Sequence, residues 1–234
     1  MHVDVWIIDL SEAAFEAAAR GVLDGGEHAR ADRFVEAPHR RRFVLARAAI
    51  RLLLGARLNL PAAAVRLQKT AHGKPVLDPA DKIGFNLSHS GDTAVFAVGP
   101  PVMLGVDIEA LAPMPEGVAQ RFFAPAETAA LLALAGAARD EAFTRLWTRK
   151  EAVLKAIGAG LHAPLDGFEA PIAAARKVRL TKCAMQPDLV ERLQLLDCPV
   201  PDGFCATLAI DAGAASVRLN VSRLASLAHL LAAQ

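Results

Sequence analysis

The chain has 234 residues, 53% of them hydrophobic, so it is long enough for one large domain or for two of about 100 residues. With 26 basic against 25 acidic side chains, its formal charge of +1 supplies no global field for nucleic acid or a membrane surface. There is no run of about 18 uninterrupted apolar residues and no basic N-terminal segment ahead of a signal-type apolar core, so a soluble, cytoplasmic protein is expected.

In chain order, residues 3–10 alternate well enough for a strand, and Ser11 before Glu12-Ala13-Ala14 reads as a helix N-cap. Residues 39–58 form a long amphipathic helix, with Phe43, Ala46, Ile50 and Leu54 on one side and Arg40, Arg47 and Arg51 on another. Pro61 and the run 65–69 turn the chain into a strand. Two apolar runs, 83–87 and 93–98, flank Ser88-His89-Ser90-Gly91-Asp92 and read as a hairpin-like pair with a functional loop. After Gly99-Pro100-Pro101 comes an acidic strand at 104–109, followed by helical pieces at 116–136 and a long helix at 140–157. Strands at 176–182, 189–196, 204–210 and 215–221 and a closing helix at 221–233 complete the pattern. Cys183, Cys198 and Cys205 form an odd set with no C-x-x-C spacing and are expected as reduced structural thiols.

The segments Arg47 to Gly55 and Lys150 to Gly158 share length, apolar phase and a terminal glycine suited to a helix C-cap, and strands follow both. The order strand, helices, long helix, strands thus occurs twice, which points to an α/β (α+β) fold of two similar lobes meeting face to face. Chance similarity between two amphipathic helices is the competing explanation.

Two acidic segments carry the chemistry. In Gly105-Val106-Asp107-Ile108-Glu109 the apolar residues alternate with the acids, so an extended strand puts Asp107 and Glu109 on one face. In Trp147-Thr148-Arg149-Lys150-Glu151-Ala152-Val153-Leu154-Lys155 the spacing of four projects Glu151 and Lys155 from one helix face, leaving Trp147, Val153, Leu154 and Ile157 for the core. Three carboxylates and no softer ligand suit a hard cation such as Mg2+, which binds a few carboxylates together with phosphate oxygens. A lysine one helical turn away would face the same phosphates. Read separately, the Glu151–Lys155 pair is a surface ion pair worth about 0.2–0.5 kcal/mol, and Asp107 with Glu109 the solvated face of an edge strand.

Together these motifs resemble the signature series of the surfactin-type 4'-phosphopantetheinyl transferases: Gly105-Val106-Asp107-Ile108-Glu109, Phe122-Phe123-Ala124-Pro125-Ala126-Glu127, and Trp147-Thr148-Arg149-Lys150-Glu151 with Lys155. Gly73-Lys74-Pro75 and Phe85-Asn86-Leu87-Ser88-His89-Ser90-Gly91 match two further family motifs in the right order, so that the match spans roughly residues 28–165. The resemblance implies a pseudo-twofold duplication, each lobe a small, mainly antiparallel sheet packed by a long helix. An N-terminal lobe, 1–103, would carry coenzyme-binding basic residues and a C-terminal lobe, 104–234, the metal-binding and catalytic motifs, with the active-site cleft between them.

The resemblance also implies the reaction: transfer of the 4'-phosphopantetheine arm of coenzyme A to a serine of an apo acyl or peptidyl carrier protein, with release of 3',5'-ADP. The carrier would serve fatty acid, polyketide or nonribosomal peptide synthesis. Displacement at phosphorus needs charge neutralisation and in-line positioning more than covalent work. Asp107, Glu109 and Glu151 are expected to hold Mg2+ or Mn2+, and Lys155 to neutralise phosphate. The candidate bases for the acceptor serine are Glu151, Glu127 or a metal-bound water. Arg42, Lys74, Ser88 and His89 are expected at the coenzyme's phosphates, together with Arg30, which stands where the family often has lysine. One chain would supply both cleft walls, so a monomer is expected. Two other readings remain: a Mg2+-dependent nucleoside pyrophosphate hydrolase using the same carboxylates, and a nucleic-acid-binding module built on Arg40, Arg41 and Arg42. Against the latter stand the absence of tyrosine and of any aromatic residue among those arginines.

Overall fold

The computed structural model describes residues 1–78, 83–160 and 163–231. Strand β1 (His2–Asp9) leads into the short helices α1 (Glu16–Arg20) and α2 (Gly25–Ala31) and the 22-residue α3 (Ala37–Leu58). A small hairpin follows, β2 (Leu67–Lys69) and β3 (Pro75–Leu77), then β4 (Gly84–Ser90), β5 (Thr93–Gly99) and β6 (Leu104–Ala110). Helices α4 (Val118–Phe122), α5 (Pro125–Leu132) and the 22-residue α6 (Gly136–Ile157) come next. The rest comprises β7 (Phe168–Glu169), β8 (Lys177–Val178), β9 (Lys182–Cys183), α7 (Leu189–Arg192), β10 (Leu193–Asp197), β11 (Phe204–Asp211), β12 (Arg218–Arg223) and α8 (Leu227–Leu231).

Two four-stranded sheets result, in the orders β12-β1-β5-β4 and β6-β11-β10-β8. All pairings in them are antiparallel except β1 with β12. The two-residue side-chain period of a strand sends alternate residues to different cores. On β5, Ala94, Phe96 and Val98 pack with α3, whereas Val95 and Ala97 join Val106, Ile108, Leu208 and Ile210 in an apolar layer shared by both sheets. The opposite side of the second sheet meets α6 through Leu193, Leu195 and Ala209 against Ala152, Val153 and Ala156.

Several expectations are corrected. Helix α3 runs through Gly55 and is capped by Asn59 in the left-handed region (φ 56°), whereas α6 does end on its glycine, Gly158 (φ 69°). Gly55 serves packing instead, because a Cβ there would lie 2.7 Å from the carbonyl oxygen of Leu60. The helical pieces expected at 116–136 are α4 and α5, separated where Pro125, in the first turn of α5, offers no N–H to continue α4. Residues 189–192 form a helical turn after Pro187-Asp188, and the 176–182 strand is broken into β8 and the start of β9. The C-terminal strand pairs with β1 in the first sheet, and α8 packs on the α3 core through Leu227. Residues 232–233 of the expected closing helix lie outside the described residues.

Candidate active site

Strand β4 places Asn86, Ser88 and Ser90 on one face and Phe85, Leu87 and His89 on the other. The polar face runs along β6 without joining it in a backbone ladder. Asn86 Oδ1 accepts from Val106 N at 2.8 Å, Ser88 Oγ donates to Asp107 Oδ1 at 2.8 Å, and Ser90 Oγ donates to Glu109 Oε2 at 2.9 Å. Alternating with Val106 and Ile108, both fully buried, Asp107 and Glu109 share the opposite face of β6 as their spacing predicts.

Helix α6 lies directly on this strand because residue 105 is glycine. A Cβ there would stand 2.3 Å from both the carbonyl oxygen of Ala152 and the amide nitrogen of Ala156. That approach carries Lys155 Nζ to 2.5 Å from Asp107 Oδ1 and 2.7 Å from Ser88 Oγ. Asp107 is buried, and among the described residues its Oδ2 has no hydrogen-bond partner. Burial pushes the Asp107 carboxyl up, with Lys155 and Ser88 acting the other way. Glu109 and Glu151 are half-buried and both are raised, first by desolvation and then by the charge of Asp107. The three acids therefore share one field. Among the described residues no group of three or more acidic, histidine or cysteine side chains forms a ready-made metal-ligand set.

The basic residues fall into different arrangements. Lys74 lines a cavity of about 230 Å3 with His72, Asn86, Glu151 and Lys155, but its ammonium donates to the carbonyl oxygens of Leu104 (2.8 Å) and Lys155 (2.6 Å), and burial lowers its pKa to about 8. His89 and Arg42 meet at a second cavity of about 450 Å3, bordered also by His39, Arg47 and Pro75. Although His89 is among the exposed residues of β4, partial desolvation lowers its pKa, and Lys155 and Arg42 add to that. Arg42 is held by Asp92 at 2.7 Å. Arg30 stands over the Phe34 ring at 5.3 Å and lines a third cavity of about 540 Å3 with Arg47, Lys69 and Gly73. The first cavity shares Pro75 with the second and Gly73 with the third, and the second and third share Phe43 and Arg47, so adjoining cavities form a concave tract from Glu151 and Lys155 past His89 to Arg30.

Glu127 is not at this cluster. It is buried, accepts from Ala124 N at 3.0 Å and Ala170 N at 2.8 Å, and pairs with Lys150 Nζ at 2.8 Å. Both of its oxygens are occupied, which corrects the expectation of a base there. The sequence reading gave no role to Asn86, Ser90 or Gly105. The period-two alternation that paired Asp107 with Glu109 also pairs Asn86, Ser88 and Ser90, and that was the available signal.

Comparison with known proteins identifies the family. A family model described as the 4'-phosphopantetheinyl transferase superfamily matches residues 103–209, and one described as 4'-phosphopantetheinyl transferase, N-terminal, matches residues 9–100. The 4'-phosphopantetheinyl transferase HetI of Nostoc sp. is 35% identical over 218 residues, spanning 91% of this chain and 88% of that one. A 4'-phosphopantetheinyl transferase of Bacillus subtilis is 30% identical over 207 residues, spanning 74% and 92%. The human L-aminoadipate-semialdehyde dehydrogenase-phosphopantetheinyl transferase is 35% identical over 160 residues, spanning 61% and 50%. The chain belongs to the 4'-phosphopantetheinyl transferase superfamily, and it is accordingly an enzyme of the transferase class. Among the described residues no helix is long and apolar enough to cross a membrane.

Proposed function

We propose that this chain is a surfactin-type transferase that moves the 4'-phosphopantetheine arm of coenzyme A to a serine of an apo acyl or peptidyl carrier protein, dependent on Mg2+ and releasing 3',5'-ADP. The observation that carries this reading is the cluster Ser88–Asp107–Lys155 with an unpartnered buried oxygen on Asp107, at one end of a concave tract walled by His89, Arg42 and Arg30. The tract has a cationic wall suited to a polyanion and an acidic end suited to the reacting centre. In this reading the chain is a pseudo-twofold pair of lobes and acts as a monomer, with residues 1–103 supplying the basic wall and β6 and α6 the acids. A nucleoside pyrophosphate hydrolase or a nucleic-acid-binding module has no support in the family match.

Asp107, Glu109 and Glu151 would hold the cation. The donor set fits a hard divalent ion: all ligands are oxygen, one buried oxygen lacks a partner among the described residues, and the charge of Asp107 raises Glu109 and Glu151 although Lys155 opposes it. Bound there, Mg2+ would neutralise the pyrophosphate of coenzyme A. Lys155 would place its ammonium on the same phosphates, with Ser88 and Asp107 fixing its direction. The acceptor serine Oγ forms the new bond to phosphorus as the bond to the 3',5'-ADP oxygen breaks. Its proton passes to Glu151, whose carboxyl is shifted upward by burial and by the charge of Asp107. His89 and Arg42 would hold the 3'-phosphate end.

The direct test is intact-mass analysis of several apo carrier domains after incubation with the protein, coenzyme A and Mg2+. A phosphopantetheine adduct is expected on at least one. Coenzyme A consumed at the same rate with and without carrier, and no adduct, would assign a hydrolase instead.

A further inference from the structure

The hydroxyl of Ser90 sits at the end of β4, where no phosphate of the proposed donor is required to explain it. It accepts a hydrogen bond from Ala110 N at 3.1 Å and donates one to Glu109 Oε2 at 2.9 Å. The backbone amide occupies an acceptor lone pair, and the hydroxyl proton therefore points at the carboxylate. Two residues earlier Ser88 treats Asp107 in the same way, donating to Oδ1 at 2.8 Å. Both serine–carboxylate pairs keep the same separation of 19 residues, so the arrangement follows from β4 and β6 running side by side. In each pair one carboxylate oxygen is held and the other is left over: Asp107 Oδ2 is buried without a partner, and among the described residues Glu109 Oε1 receives no hydrogen bond.

We propose that Ser90 is a positioning residue for the cation site: by holding Glu109 Oε2 against β6 it presents Oε1 toward the cleft beside Asp107 Oδ2. The inference rests on the reading of Asp107, Glu109 and Glu151 as the Mg2+ ligands. Its physical basis is the freedom of a glutamate side chain, which must be immobilised before it can ligate, at a cost in rotamer entropy. A hydrogen bond made before the cation arrives removes part of that cost. Partners that orient a ligating carboxylate commonly change metal affinity by about 10–100-fold when lost.

The experiment is Mn2+ titration followed by electron paramagnetic resonance, with coenzyme A present, on the wild type, Ser90→Ala and Ser90→Thr. The expected result is a loss of Mn2+ affinity of about tenfold in Ser90→Ala, restored by Ser90→Thr, which keeps the hydroxyl, with all three proteins melting within a few degrees of one another. Unchanged affinity in Ser90→Ala, or a loss that threonine does not restore, overturns the role of Ser90 while leaving the metal site in place. A wild type that binds no Mn2+ under these conditions overturns the ligand assignment and this inference with it. Carrier modification, measured separately, reports on the transferase reading itself.

Discussion

Lys150 and Lys155 lie five residues apart on α6, so they point about 140° away from each other around the helix axis, and each meets a buried carboxylate. Lys150 has no exposed side-chain surface. It donates to Glu127 Oε2 and to the carbonyl oxygens of Leu165 (2.7 Å) and Phe168 (2.6 Å), while two backbone amides complete Glu127. Lys155 keeps 29% of its side chain exposed, and its partner Asp107 retains a buried oxygen with no partner among the described residues. Two ion pairs of the same chemical type therefore have different uses. One is complete and braces α5, α6 and the segment after α6; the other is incomplete and faces a cleft. The presence of a buried acid does not by itself mark a catalytic group, and the unfilled hydrogen-bonding capacity is the more informative sign.

The comparison is broken most forcefully at the incomplete site. Glu151→Gln preserves shape and helix propensity but removes an anionic oxygen, and carrier modification should fall by about 10²–10³-fold with little change in thermal midpoint. Ordinary turnover in that variant would return Glu151 to the surface ion pair that its spacing also allowed. At the complete site the expected loss is stability. Glu127→Ala strands the Lys150 ammonium in the interior, so urea unfolding should show about 3–5 kcal/mol of destabilisation, while transfer per folded molecule is retained. Lost transfer in a stable Glu127→Ala protein would restore Glu127 as a base.

A smaller effect is expected where the two regions are joined. Gly105→Ala forces α6 away from β6, because the added methyl would collide with backbone at Ala152 and Ala156. About 1–3 kcal/mol of stability should be lost, together with the close approach of Lys155 to Asp107. An alanine variant with wild-type stability and transfer rate would show that the helix can slide without consequence.

A pH dependence is expected at Lys74. Its folded pKa, about 8, lies below the ordinary 10.5, so between these values the unfolded chain holds a proton that the folded chain has released. Stability should therefore rise with pH across that window, while below pH 8 the cost of burying the ammonium is fully present. The thermal midpoint of the wild type relative to Lys74→Met should increase from pH 8 to pH 10.5, and a flat difference would mean that Lys74 is not desolvated by its cavity.

What could be read from the sequence was what local periodicity encodes. The two-residue period placed Asp107 and Glu109 on one face, and the helical period placed Glu151 and Lys155 together, because both depend on neighbours within four residues. The long helices were found for the same reason, at 39–58 and 140–157 against Ala37–Leu58 and Gly136–Ile157. Partners set by the tertiary fold were not legible. Lys74 reads as a free cation in Gly73-Lys74-Pro75, yet its acceptors come from residues 30 and 81 positions away. Glu127 lies in a motif that invited a catalytic role, and only the positions of Lys150 and Ala170 show it to be occupied. The return of β12 to β1 joins the two ends of the chain in a parallel pair, which no local pattern specifies.

The most direct measurement is the Mg2+ dependence of carrier modification for the wild type and Asp107→Asn, followed by intact mass at saturating coenzyme A. Asp107→Asn keeps the volume and a hydrogen bond to Ser88 but removes the charge shared by Lys155, Glu109 and Glu151. Metal-dependent transfer by the wild type and none by the variant at any Mg2+ concentration is the predicted result. Transfer by Asp107→Asn at the wild-type rate and at limiting Mg2+ would contradict the placement of the reaction at this cluster.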